Sequence, residues 1–252
     1  DVVAFDQRPV YSGNPPLKLE PADLQYLSYE ISCHDNGANN THGLTLKGSR
    51  ARFGYYGIYA PYVPIFYSGD EFLFYEDSTF VNKEGNVVTT PYPKKVLPCI
   101  ADWWDAWWAA AQIDLSLVNQ EPHKSMHADC RKMLQIRNQN RDILHNDRFK
   151  THLVALEAKP ELPRPYARFI PGEKAIIIIG NDTRQDQEFT IRVPLEKMNF
   201  NQSAQFLLTD LWTGQQKKVS ANKLKELKVS VPADYTPGGG VRLYKIELKN
   251  QI

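Results

Sequence analysis

In the last third of the chain, apolar and polar positions alternate. Thr190 and Arg192 separate Phe189, Ile191 and Val193, and Lys228 and Ser230 separate Leu227, Val229 and Val231. This period of two is the mark of a sheet with one buried and one wet face. The runs 166–170, 174–179, 188–195, 204–211, 227–231 and 241–248 read as strands. Pro171-Gly172, Thr213-Gly214 and Pro237-Gly-Gly-Gly240 supply turns between them. The pattern predicts an antiparallel β-sandwich of about 90 residues.

The earlier part of the chain is mixed. An extended run at 27–33 ends in His34-Asp35-Asn36-Gly37, and a helical segment at 49–59 follows. A second extended run, 61–67, ends in Ser68-Gly69-Asp70-Glu71. Strand, polar loop, helix, strand and polar loop form the βαβ rhythm of a parallel sheet. Two helices are expected at 100–117 and 125–144. In the second, Met126, Cys130, Met133, Leu134 and Arg137 fall on one stripe, which predicts packing by that face. Lys159-Pro-Glu-Leu-Pro-Arg-Pro165 removes amide donors and forces extended geometry. It divides the chain into 1–160, an α/β part, and 161–252, an all-β part.

Composition narrows the function classes. Of the 252 residues, 42% are hydrophobic and 23% charged, as in a globular protein. The apolar run Ala175 to Ile179, like every other in the chain, is far short of the ~20 residues of a membrane span. Thirty Lys and Arg against 29 Asp and Glu leave +1, without the basic footprint of a nucleic-acid binder. Neither nucleic acid nor membrane is an expected partner. Cys33, Cys99 and Cys130 are widely spaced, match no zinc pattern, and read as buried thiols. The first residues lack the features of a signal peptide.

Chemistry in α/β proteins sits where loops converge at the carboxyl ends of parallel strands, and His34 and Asp35 hold that position. Two readings stand for them. One is a donor and a carboxylate gripping a polyhydroxyl substrate, with Asp35 stabilising developing positive charge. The other is an Asx turn beside a satisfied His. Asp70 and Glu71 fit a helix cap or a partner for a buried Arg. Trp103, Trp104, Trp107 and Trp108 fit core or interface better than a sugar platform. Tyr55, Tyr56, Tyr59, Tyr62 and Tyr67 add aromatic area near the cleft. His42, His123, His127, His145 and His152 have no metal-ligand spacing, so no cofactor is evident. Asn39, Asn181 and Asn201 begin glycosylation sequons.

Taken together, Ile31-Ser-Cys-His34-Asp35-Asn36 and Tyr59-Ala-Pro-Tyr-Val-Pro-Ile-Phe-Tyr-Ser-Gly69-Asp70-Glu71 resemble the last two barrel strands of the α-amylase family of glycoside hydrolases. Met133-Leu-Gln-Ile-Arg137 is similar to the helix leading out of that barrel. Tyr166-Ala-Arg-Phe, the run 176–181 and Thr209-Asp-Leu-Trp-Thr-Gly214 are similar to the family's C-terminal β-domain. Cys33 stands where the family usually has Asn.

The resemblance implies the C-terminal portion of a (β/α)8 TIM barrel over 1–160, followed by an antiparallel β-sandwich over 161–252. It also implies a retaining mechanism on α-glucosidic or related carbohydrates. Asp35 would be the transition-state stabiliser and His34 the contact to substrate hydroxyls. A barrel needs about 250 residues, and only 27 precede Ser28. The nucleophile and general acid/base are therefore expected upstream, and the N-terminal part of the same enzyme is the expected partner, completing the barrel. By analogy the location is periplasmic or extracellular, and calcium is an open question for the parent protein. Two alternatives share these residues: a non-catalytic carbohydrate-binding or scaffolding relative, and a transglycosylase.

Overall fold

The computed structural model describes residues 28–30, 49–61, 63–65, 71, 78–81, 87–90, 115–145, 151–161, 163–234 and 236–248. Strand β1 (Ser28–Glu30) pairs in parallel with β2 (Val63–Ile65), Ser28 opposite Val63 and Glu30 opposite Ile65. Between them lie a helical turn α1 (Ser49–Ala51) and a π-helical segment, Arg52–Ile58. The expected strand, helix, parallel strand order is therefore present. Strands β3 (Ser78–Val81) and β4 (Val87–Thr90) form a separate antiparallel pair. Of the helix expected at 100–117, the described residues include only the start of a 3-10 turn, Leu115–Asn119.

The second expected helix is two. Helix α2 (His123–Gln139) stops at Asn140, which leaves helical geometry, and α3 (Arg141–Leu144) follows. Met126, Cys130 and Met133 are buried as the stripe requires, but Leu134 is 43% exposed and Ile136 takes its place. The reason is angular. Leu134 lies about 80° from Met126 and about 100° from Met133 on a helix of 3.6 residues per turn, whereas Ile136 lies about 60° from Met133 on the other side.

The β-rich part is a two-layer sandwich. One sheet has the order β11-β10-β13-β8-β7-β5, and the other β12-β9-β6. Their strands are β5 (His152–Ala155), β6 (Glu157–Lys159), β7 (Tyr166–Ile170), β8 (Lys174–Gly180), β9 (Gln187–Arg192), β10 (Gln205–Asp210), β11 (Gln216–Ser220), β12 (Leu227–Val231) and β13 (Val241–Leu248). All pairings in both sheets are antiparallel. A one-turn helix α4 (Ala221–Leu224), capped by the Ser220 side chain, carries the chain from β11 to β12. Residues 152–159 precede the division expected near 160, yet β5 and β6 pair into the two sheets.

Strand β8 shows that the six-stranded sheet is covered on both faces. Its four consecutive isoleucines are all fully buried. Ala175, Ile177 and Ile179 join Phe189, Ile191, Phe206 and Leu208 in the sandwich core. Ile176 and Ile178 point the other way, into a second core with Phe53, Tyr59, Met133 and Leu144. Side chains alternate across a strand, so a continuous apolar run is what a strand covered on both faces needs. Strand β13 behaves likewise, with Ile246 in the first core and Val241 and Leu243 in the second. Around these two cores the described residues are layered as helices, sheet, sheet.

Candidate functional site

The parallel register sets the carboxyl ends of β1 and β2, Glu30 and Ile65, side by side. Parallel strands end at the same edge, and ligands of open α/β sheets bind beyond that edge. His34 and Asp35, the candidate catalytic residues, lie outside the described residues, as do Cys33, Asp70, Tyr62, Tyr67 and the four tryptophans at 103–108. Glu71 is described, partly buried.

Tyr55, Tyr56 and Tyr59 belong to the packing rather than to a cleft. The Tyr55 hydroxyl donates to the Arg164 carbonyl at 2.5 Å, and the Tyr166 hydroxyl donates to the Tyr55 carbonyl at 3.0 Å. Tyr56 sits edge-on to Tyr55. Tyr59 is fully buried, and burial drives its phenol pKa well up, with Cys130 pushing the same way and Arg137 opposing. Asn181, a sequon residue, is also fully buried. Its amide nitrogen donates to the carbonyls of Gln185, Val231 and Pro232, and its oxygen accepts from Thr183. It is a structural tie between β8 and β12, not an attachment point.

The most concentrated polar chemistry among the described residues is a junction that periodicity does not reveal. Arg50, 3% exposed, donates from Nε to Asp129 Oδ2 at 2.6 Å and from Nη2 to Ser125 Oγ at 3.1 Å. Its Nη1 donates to the Asp234 carbonyl at 3.3 Å, while Asp234 Oδ1 accepts from the Ala51 amide at 2.6 Å. Asp129 Oδ2 also accepts from the Gly238 amide at 2.7 Å. Three parts of the chain thus meet at one buried ion pair: α1, α2 and the loop between β12 and β13. Gly240 closes the junction at φ +76°, where a Cβ would come within 2.6 Å of the Ala51 nitrogen and of Asp234 Oδ1. Only glycine combines that backbone conformation with so close an approach.

Eight residues further along each helix a second contact repeats the first: Arg137 on α2 donates to the Ile58 carbonyl at the end of the π-helical segment. Asp129 and Arg137 therefore grip Arg50 and Ile58 in the same order, and α2 runs as a splint beside the segment that leads into β2. Burial lowers the Arg137 pKa, with Tyr166 and Tyr59 opposing. Arg168, on β7, caps α3 by donating to the Leu144 carbonyl at 2.7 Å. Burial, helped by Arg137, takes its pKa down to about 9. The sequence did carry one signal for the junction: Asp129 stands beside Cys130 near the packing stripe of α2, where a carboxylate needs a buried partner.

Among the described residues no group of three or more His, Cys, Asp or Glu could hold a metal ion. No helix among them is long and apolar enough to cross a membrane. No family model matches the chain, and no curated protein matches it in sequence. Solved structures do. An α-amylase from Geobacillus thermoleovorans, determined with acarbose, aligns at TM-score 0.50 and 13% identity over 90% of this chain and 40% of its own. An Anoxybacillus α-amylase aligns at TM-score 0.47 and 16% identity, over 90% of this chain and 39% of its own. A maltogenic α-amylase from Thermotoga neapolitana aligns at TM-score 0.45 and 14% identity, over 88% and 41%. The chain therefore spans about 40% of the length of the Geobacillus α-amylase, and the likeness is one of fold. The mostly antiparallel sheets match the C-terminal domain of such enzymes.

Proposed function

We propose that this chain is the C-terminal portion of an α-amylase-like glycoside hydrolase, contributing the last barrel strands and the β-sandwich. The observation that carries the reading is the α-amylase fold likeness over 90% of the chain. The parallel β1–β2 pair supports it, because the strand just before the first of the two motifs pairs with a strand inside the second. In this proposal the barrel part ends ahead of β5, since β5 and β6 pair within the sandwich sheets. The N-terminal part of the same protein completes the barrel and carries the nucleophile and the general acid/base of a retaining mechanism. Asp35 stabilises the oxocarbenium-like transition state, and His34 contacts substrate hydroxyls. The substrate is an α-glucosidic or related carbohydrate.

The test uses the full-length protein and a maltooligosaccharide. Asp35→Asn is expected to lower kcat by about 100-fold or more, as loss of one transition-state contact does. His34→Gln is expected mainly to raise KM. Equal turnover of wild type and Asp35→Asn removes Asp35 from the mechanism. Absence of hydrolysis in the wild type, with retained binding of the oligosaccharide, selects the non-catalytic reading instead.

A further inference from the structure

We propose that Asn201 is an acceptor site for an N-linked glycan and that Asn181 is not. In sequence Asn39, Asn181 and Asn201 are equivalent, each with Ser or Thr two residues on. Asn39 lies outside the described residues, and the fold separates the other two. Asn201, Gln202 and Ser203 are all exposed, in the turn that leads into β10. Asn201 holds that turn by its oxygens. Its Oδ1 accepts from the Ser203 amide at 2.8 Å, and its backbone carbonyl accepts from the Ala204 amide at 3.1 Å. Its Nδ2, the atom that a glycan modifies, has no hydrogen-bond partner among the described residues. Asn181 is the reverse case. It is fully buried, and its Nδ2 is the atom that binds the carbonyls of Gln185, Val231 and Pro232.

The chemistry makes this contrast decisive. An exported chain meets a polyprenyl-diphosphate-linked oligosaccharide, and a bond forms between Nδ2 and the anomeric carbon of the first sugar. The bond from that carbon to the diphosphate oxygen breaks, the polyprenyl diphosphate leaves with the electron pair, and Nδ2 gives up one proton. The product keeps the amide oxygen and one N–H. At Asn201 the contact from Oδ1 to Ser203 therefore survives. At Asn181 one N–H is left for three carbonyls, and a bulky polar group would have to fit between β8 and β12. Transfer acts on the chain before it folds, so the fold is the filter that follows. A chain modified at Asn181 cannot close the sandwich, whereas one modified at Asn201 can.

The turn also stands clear of the junction between the sandwich and the helices. Phe206 of β10 registers with Leu248 of β13, which puts Asn201 at the Leu248 end of that strand. The Arg50–Asp129 junction gathers beside Gly240, just before the Val241 end. Strand β13 has eight residues, and at about 3.3 Å per residue the two ends are roughly 25 Å apart. A glycan at Asn201 leaves the junction untouched.

The experiment secretes the full-length protein from a eukaryotic host and maps the folded fraction peptide by peptide. Glycans are released enzymatically in heavy-oxygen water, which marks each modified Asn as labelled Asp. Label is expected at position 201 in most molecules and at position 181 in none. Each site is read separately, so Asn39 does not enter the outcome. Ser203→Ala should lose the label at 201 completely, and Ser203→Thr should keep it. Both should melt at the temperature of the unglycosylated or glycosylated wild type they match, because Ser203 serves the turn through its backbone amide. An unmodified Asn201 in the secreted wild type overturns the proposal, as does label at Asn181 in the folded fraction or label at 201 that persists in Ser203→Ala. Glycosidase activity is not a readout, so the outcome is independent of the function proposed above.

Discussion

The six-stranded sheet is covered by two very different layers. On one face the three-stranded sheet packs with aliphatic and Phe side chains, Phe189, Ile191, Val229 and Val231 meeting Ile177, Phe206 and Leu208. On the other, the helical layer brings buried Tyr55 and Tyr59, together with Met and Cys, against Tyr166 of β7. This second layer is tied down by directed contacts: the Arg50–Asp129 pair, Arg137 on the Ile58 carbonyl, and two tyrosine hydroxyls on backbone carbonyls. Apolar packing is strong but indifferent to small slides. Hydrogen-bonded ions and hydroxyls contribute less net free energy yet fix position. The sandwich face supplies stability, and the helical face sets the placement of the segment that runs into β2.

The largest effect should come from the sandwich. Phe189→Ala removes a buried ring from between the sheets and is expected to cost about 4 kcal/mol, read as a fall in the denaturant midpoint. A cost under about 1 kcal/mol would mean that the two sheets do not share a core. Next comes the junction. Arg50→Met leaves Asp129 buried with only the Gly238 amide, and is expected to cost about 3 kcal/mol. The double variant Arg50→Met, Asp129→Leu should recover part of that loss, because an apolar pair has no stranded charge. If the double variant is the weaker by the full sum of the singles, the ion pair is not the tie between the layers. Gly240→Ala combines a positive φ with contacts near 2.6 Å, and about 2 kcal/mol is expected. Gly214→Ala, at φ +77° with open space around it, should cost about 1 kcal/mol. Similar losses at the two glycines would show that backbone strain, rather than crowding at the junction, dominates.

The same contrast explains what the sequence disclosed. Sandwich strands such as Leu227–Val231 are visible because one wet face forces strict alternation. Strand β11 escapes that reading since Val219 is its one inward apolar residue, and β5 and β6 are short strands next to a proline-rich stretch. The Ala175–Ile179 run looks featureless to periodicity for the reason that matters, burial on both faces. The junction was hidden because Arg50 and Asp129 are 79 residues apart, and only the fold reveals that each charge is the other's partner. Asp35 and His34 were found as a motif at a strand end, and the strand pairing just before them is what the structure adds.

The smallest expected effect is the most diagnostic of the helical layer. The Tyr59 hydroxyl is buried and, unlike those of Tyr55 and Tyr166, meets no hydrogen-bond partner among the described residues. Tyr59→Phe therefore gives up no bond and sheds a desolvated group, so at pH 7 it should equal or exceed wild type by up to about 1 kcal/mol. The alkaline limb separates this reading from simple tolerance. Burial raises the Tyr59 pKa above the ~10 of an unfolded tyrosine. Below that pH both states hold the proton and the group adds no slope. Above it the unfolded chain ionises first, and stability falls as pH rises. Tyr244, pushed up to about 12, mostly by burial, acts in the same sense and stays in the variant as an internal reference. Melting temperature followed from pH 8 to 11.5 should thus fall less steeply above about pH 10 in Tyr59→Phe than in wild type. Parallel curves would mean that the phenol already reaches water in the folded state, and that the helical layer is looser over Tyr59 than its full burial describes.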